Sequence, residues 1–185
     1  MRFLTIIIIV LFLSACGVDS GKKVLTNEGD SIESIKSESI EVQDDFKLEI
    51  KSEKSQYNVG EELKITANLT YTGEKEIEIG HGGSWIYLNT TNVTKGYQFW
   101  AAMNQPHIVT AMTPNVPIKE QYHFSGGTYY AGSGGNPYTE EEYKQMADMN
   151  FPPGNYKIEG TTEFNILGEE YTYEIKTEIS FEVIE

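Results

Sequence analysis

The sequence predicts an all-β protein, an antiparallel sandwich with one short helical insertion. Three observations carry that reading. Apolar and polar residues alternate with period two over several runs, turn signals fall at short intervals between the runs, and the chain holds one convincing helix start. Alternation marks a strand with one face in a core and one in water, because successive side chains point to opposite faces.

The elements follow in chain order. Phe46, Leu48 and Ile50 alternate with Lys47, Glu49 and Lys51; Leu63, Ile65, Ala67, Leu69 and Tyr71 alternate with Lys64, Thr66, Asn68 and Thr70. Shorter strands are predicted at 76–79, 85–88, 97–101, 108–112, 118–124 and 156–166. The closing strand runs from Tyr171 through Tyr173, Ile175, Thr177, Ile179 and Phe181 to Val183, with Thr172, Glu174, Lys176, Glu178, Ser180 and Glu182 on its wet face. Gly and Pro punctuate the intervals at 57–60, 72–73, 89–96, 114–117 and 167–168. Thr139 followed by Glu142 is a capping box with Pro137 just upstream, so a helix is expected to about Met149, ahead of Phe151-Pro152-Pro153-Gly154. Seven to nine short strands around one helical insertion give an immunoglobulin-like antiparallel β-sandwich over residues 46–185.

The N-terminus reads as an address. Arg2 precedes an apolar run from Phe3 to Leu13 that only Thr5 interrupts. Eleven helical residues rise about 16 Å, well short of a ~30 Å hydrocarbon core, so the run suits a signal peptide and is too short to span a membrane. It ends in Leu13-Ser14-Ala15-Cys16-Gly17, and Cys16 is the only cysteine in the chain. This stretch resembles the bacterial lipobox. The resemblance implies that Cys16 is lipidated, that residues 1–15 are removed, and that the protein is anchored on the extracytoplasmic face of the cell membrane.

Residues 16–45 are expected to form the lipidated Cys and a flexible acidic tether. Gly17 to Asp45 has no aromatic residue and carries eight acids against three Lys, too little apolar surface to offset its ordering entropy. The whole chain has 28 acids against 14 basic residues. Such a charge disfavours nucleic acid as a partner, which calls for a basic face. Lys is used almost to the exclusion of Arg, with much Ile, Asn and Glu, a composition that points to an AT-rich genome and a Gram-positive host.

Several constellations carry candidate chemistry. His81-Gly82-Gly83 resembles the oxyanion-loop glycines of esterases, but no Gly-x-Ser-x-Gly elbow accompanies it, so a glycine turn with Ser84 as a turn residue is expected. His107 with Met103 and Met112 could offer soft ligands to copper, yet the spacing is not that of a ligand set, and no metal or cofactor is expected. Trp85, Trp100, Tyr129, Tyr130 and Tyr138 form the candidate binding set, near the Gly-rich stretch 125–135. Loops of Tyr, Ser and Gly give contact area at low entropy cost. The competing reading puts Trp85 and Trp100 into the inter-sheet core and leaves the Gly-rich loop a plain connection.

Tyr57-x-x-Gly60, the turn from Tyr71 to Lys75, Gly83-Ser84-Trp85 and the hairpin into Tyr97-Gln98-Phe99-Trp100 are followed by Pro153-Gly154-Asn155-Tyr156. This layout is similar to that of BsuPI-like domains, named for an inhibitor of an intracellular serine protease. The resemblance spans about 46–185 and implies the sandwich fold. It supplies no inhibitory residue, and the insertion at 125–149 has no counterpart in it. The functional expectation is a lipid-anchored, non-catalytic binding module for a secreted or envelope protein or another envelope component. An exported protease inhibitor is the alternative and a copper-binding protein the second.

Overall fold

A computed structural model describes residues 34–102, 104–126 and 137–185 of the chain. Among them lie β1 (Glu38–Gln43), β2 (Phe46–Ser52), β3 (Gln56–Asn58), β4 (Ile65–Tyr71), β5 (Ile77–Asn92), β6 (Tyr97–Phe99), β7 (Ile108–Met112) and β8 (Ile118–Gln121). Helix α1 (Glu140–Ala147) follows, then β9 (Gly154–Ile166), β10 (Thr172–Tyr173) and β11 (Lys176–Ile184). The strands form two sheets. One has the order β1-β2-β4-β8; the other runs β3-β11-β9-β5-β6, with β10 along β9 and β7 along β5. All pairings are antiparallel except β3 with β11. The predicted all-β sandwich is therefore the observed fold.

Period two decides which residues meet between the sheets. Phe46, Leu48 and Ile50 of β2 and Ile65, Ala67 and Leu69 of β4 are buried, and they face Tyr156, Ile158 and Phe164 of β9 and Ile179, Phe181 and Val183 of β11. Tyr156 and Phe181 stack with centroids 5.4 Å apart. Tyr156 also turns its hydroxyl back to donate to Pro152 O at 2.7 Å, the tyrosine corner expected near the start of this strand in sandwiches of immunoglobulin type. Gly160 sits opposite Leu88 in the centre of the second sheet, and its missing side chain leaves room for Ile50 from the first.

Three sequence expectations are corrected. The sandwich starts earlier than residue 46: Glu38–Gln43, placed in the tether, forms an edge strand in six-residue register with β2. Edge pairing needs little apolar burial of its own. Ser39 is buried and shares a 2.5 Å hydrogen bond with Thr177, while Ile40 and Val42 point to water. Second, 76–79 and 85–88 are not separate strands joined by a glycine turn. Residues 77–79 and 85–88 belong to the 16-residue β5, and the turn expected from Asn89 begins only after Asn92. Third, the closing run breaks at Glu174–Ile175, where Thr162 N donates to Ile175 O and Ile175 N donates to Thr162 Oγ1.

The helix ends within two residues of its expected limit. Thr139 Oγ1 accepts from Glu142 N while Glu142 Oε2 accepts from Thr139 N, completing the capping box. Tyr143 and Met146 are the buried face. They cover an aromatic cluster at one end of the sandwich, in which Phe99 and Phe124 approach Tyr143 at centroid distances of 5.8 and 5.7 Å.

Candidate functional site

The irregular feature nearest to a site is in the middle of β5. Its first part, Ile77–His81, pairs with β7 and with the end of β9; its last part, Ile86–Asn92, pairs with β9 and β6. Between them the register shifts: His81 opposes Phe164 and Ile86 opposes Thr162, so Gly82, Gly83, Ser84 and Trp85 stand against Glu163 alone. Such bulges bend a strand and re-aim its side chains, and they cluster beside functional sites. Here the bulge turns Trp85 into the core, at 5% exposure. Ser84 Oγ accepts from Ile86 N at 3.2 Å, and Gly83 N donates to Asn104 O at 2.9 Å, fixing the loop between β6 and β7 against the bulge.

Two clefts border this segment. The first, of about 230 Å³, lies on the outer face of the larger sheet, lined by Gly80 and His81, by Tyr87, by Gln105 and His107 of the β6–β7 loop, and by Glu163, Asn165 and Thr172. Its walls are built closely. A Cβ on Gly80 would be 2.9 Å from His107 Cε1 and 3.1 Å from Asn165 Oδ1, so glycine there lets both side chains close over β5. Gln105 Nε2 donates to Tyr87 Oη at 2.6 Å. His81 Nδ1 donates to Gly82 O at 2.8 Å, and its Nε2 lies 2.8 Å from Thr110 Oγ1, so both ring nitrogens are engaged. The second cleft, about 300 Å³, opens between the sheets beside β8 and is lined by Ile86, Leu88, Ala101, Gln121 and His123 among others.

The predicted binding residues separate. Trp85 is core, and so is Tyr138, whose ring is 3% exposed and whose hydroxyl accepts from Asn92 Nδ2 at 2.5 Å. Desolvation pushes the Tyr138 phenol up to about 12, against the opposing effect of that hydrogen bond. Burial raises Tyr122 and Tyr156 further still. Tyr138 therefore belongs to the packing and does not present a contact surface. Trp100 is the exception: at 66% exposure it stands in water just beyond β6, one residue from the lining of the second cleft. Tyr129 and Tyr130 lie outside the described residues, as do Met103 and Cys16.

Tyr143 Oη donates to Gly126 O, and Tyr138 is sunk into the core. Lys95 Nζ reinforces this end, 2.7 Å from Glu142 Oε1 and 4.1 Å from the centre of the Tyr138 ring.

Two of the three weak copper candidates, His107 and Met112, are not brought together. Met112 is 1% exposed in the core, whereas His107 is exposed at the other end of β7, five residues or about 16 Å along an extended chain. Among the described residues no group of three or more His, Cys, Asp or Glu is placed to hold a metal ion.

Sequence reasoning missed the outer cleft. Tyr87 carries the outward parity of β5, and Glu163 and Asn165 that of β9, but only the β5–β9 register brings them together. No protein-family model matches the chain, and no curated protein matches it either.

Proposed function

We propose that the chain is a lipid-anchored protein of the extracytoplasmic membrane face whose sandwich works as a non-catalytic binding module for an envelope component or a secreted protein. Cys16 is its attachment point in this reading, supported by the short apolar run and the small residues that precede it. The observation that carries the binding role is Trp100. A large indole held in water next to the lining of the second cleft, on a loop pinned to the β5 bulge, is the type of residue that dominates interface energies. Ile108 and Val109, at the far end of the same loop, are exposed as well.

The test compares capture from an envelope extract by the wild-type chain and by Trp100→Ala. Loss of a partner with an unchanged melting temperature supports the module; undiminished capture refutes the role of this face. Cys16→Ser should abolish incorporation of labelled fatty acid, and continued labelling would refute the anchor. The alternative, an exported protease inhibitor, rests on the BsuPI-like layout of residues 46–185. A stoichiometric, cleavage-resistant complex with a secreted serine protease would establish it.

A further inference from the structure

The outer cleft beside the β5 bulge has a lining that narrows its ligand by chemistry. His81 has both ring nitrogens engaged within the protein. The side chains of His107, Glu163 and Thr172 make no hydrogen bond or ion pair among the described residues, and Gln105 keeps its carbonyl oxygen after donating to Tyr87. Unspent donors and acceptors from the β6–β7 loop, β9 and β10 thus line one cleft together with Tyr87.

Each ligand class meets this lining differently. No Lys or Arg lines the cleft and Glu163 is the only carboxylate there, so a phosphate or carboxylate ligand would face repulsion without a cationic partner. A single carboxylate is too few for a calcium site, which takes six to eight oxygen ligands. The polar lining disfavours an aliphatic ligand. A neutral ring rich in hydroxyl groups fits: its C–H face covers the Tyr87 ring, its hydroxyls donate to the Glu163 carboxylate and Gln105 Oε1, and His107 and Thr172 complete the set. A cleft of about 230 Å³, below the roughly 300–1,000 Å³ of drug-sized sites, suits one such ring.

The geometry points to a saccharide subsite: the cleft formed by Tyr87, Gln105, His107, Glu163 and Thr172 holds one neutral pyranose unit of an envelope glycan. This deepens the binding-module reading and rests on it. Trp100, earlier on the loop that supplies Gln105 and His107, provides an additional exposed ring on the same element.

The experiment is calorimetric titration of the full chain, in detergent, with chitotriose and separately with maltotriose. Glu163 and His107 are exposed, so Glu163→Gln and His107→Ala leave the fold intact, which a melting curve verifies. One-to-one binding of either sugar, weakened at least tenfold by both substitutions, supports the subsite. Binding that survives both substitutions places the sugar elsewhere and overturns it. Heat from neither sugar, with Trp100-dependent envelope capture retained, overturns the saccharide inference and leaves the binding module standing. Loss of that capture as well removes both. A Glu163-dependent response to calcium alone also overturns it, by converting the cleft into a cation site.

Discussion

Gly160 is the position where the packing of the two sheets can be tested with a single methyl group. It lies on the inner face of β9, opposite Leu88 of β5 and Thr177 of β11. A Cβ there would overlap Ile50 Cδ1, which comes across from the first sheet, and would stand 3.0 Å from Ile86 Cδ1. Ile50 is fully buried, so it cannot swing into solvent. Overpacking of this kind costs about 1–3 kcal/mol. Loss of glycine's freedom in the unfolded chain offsets about 0.4–1 kcal/mol of that. Gly160→Ala should therefore destabilise by roughly 1–2 kcal/mol, a fall in melting temperature of about 2–8 °C for a domain of this size. The assay is urea unfolding followed by the fluorescence of Trp85, which is buried in the native state. Ile50→Val removes the overlapping Cδ1 and alone costs about 0.5–1.5 kcal/mol. The double variant should be no less stable than Ile50→Val. A neutral Gly160→Ala, or strict additivity of the two changes, would refute the inter-sheet contact.

Three further outcomes follow from the same structure. Trp85→Ala should cost about 3–5 kcal/mol, since it empties a buried indole site, whereas Trp100→Ala should stay within about 0.5 kcal/mol; denaturant midpoints separate the two. Thr139→Ala should lower stability by about 1 kcal/mol through loss of the helix cap, and Thr139→Ser should restore it, as read by thermal melting. The buried phenols make the fold sensitive to alkali. Tyr138 is raised from 10.0 to about 12 on folding, so its neutral form is favoured in the native state. That contribution is complete below pH 10 and is lost as pH rises from 10 through 12, so stability should fall across that window. Ultraviolet titration should show a part of the phenolate absorbance, that of the buried tyrosines, appearing only with unfolding. Ionisation of all tyrosines near pH 10 with the fold intact would contradict the burial.

The alternating strands and the self-capping helix are legible in the order of the amino acids alone. Both are local signals: side-chain parity alone fixes the inner face of β2, β4 and β9, and Thr139 with Glu142 needs no distant partner. Features that depend on pairing emerge only in the folded chain. Glu38–Gln43 reads as a solvated tether until β2 offers it an edge, because an edge strand takes its stability from a neighbour's backbone. His81-Gly82-Gly83-Ser84 reads as a turn because glycine marks turns and bulges alike, and only the β9 partner shows that the strand continues through it. Trp85 and Trp100 are the same residue type in similar surroundings of sequence. One is buried and one exposed because the bulge aims Trp85 inward, while β6 ends before Trp100. The outer cleft draws on β5, the β6–β7 loop, β9 and β10, segments separated by up to about ninety residues. No local pattern could have announced it, since its chemistry exists only where the sheet brings those segments side by side.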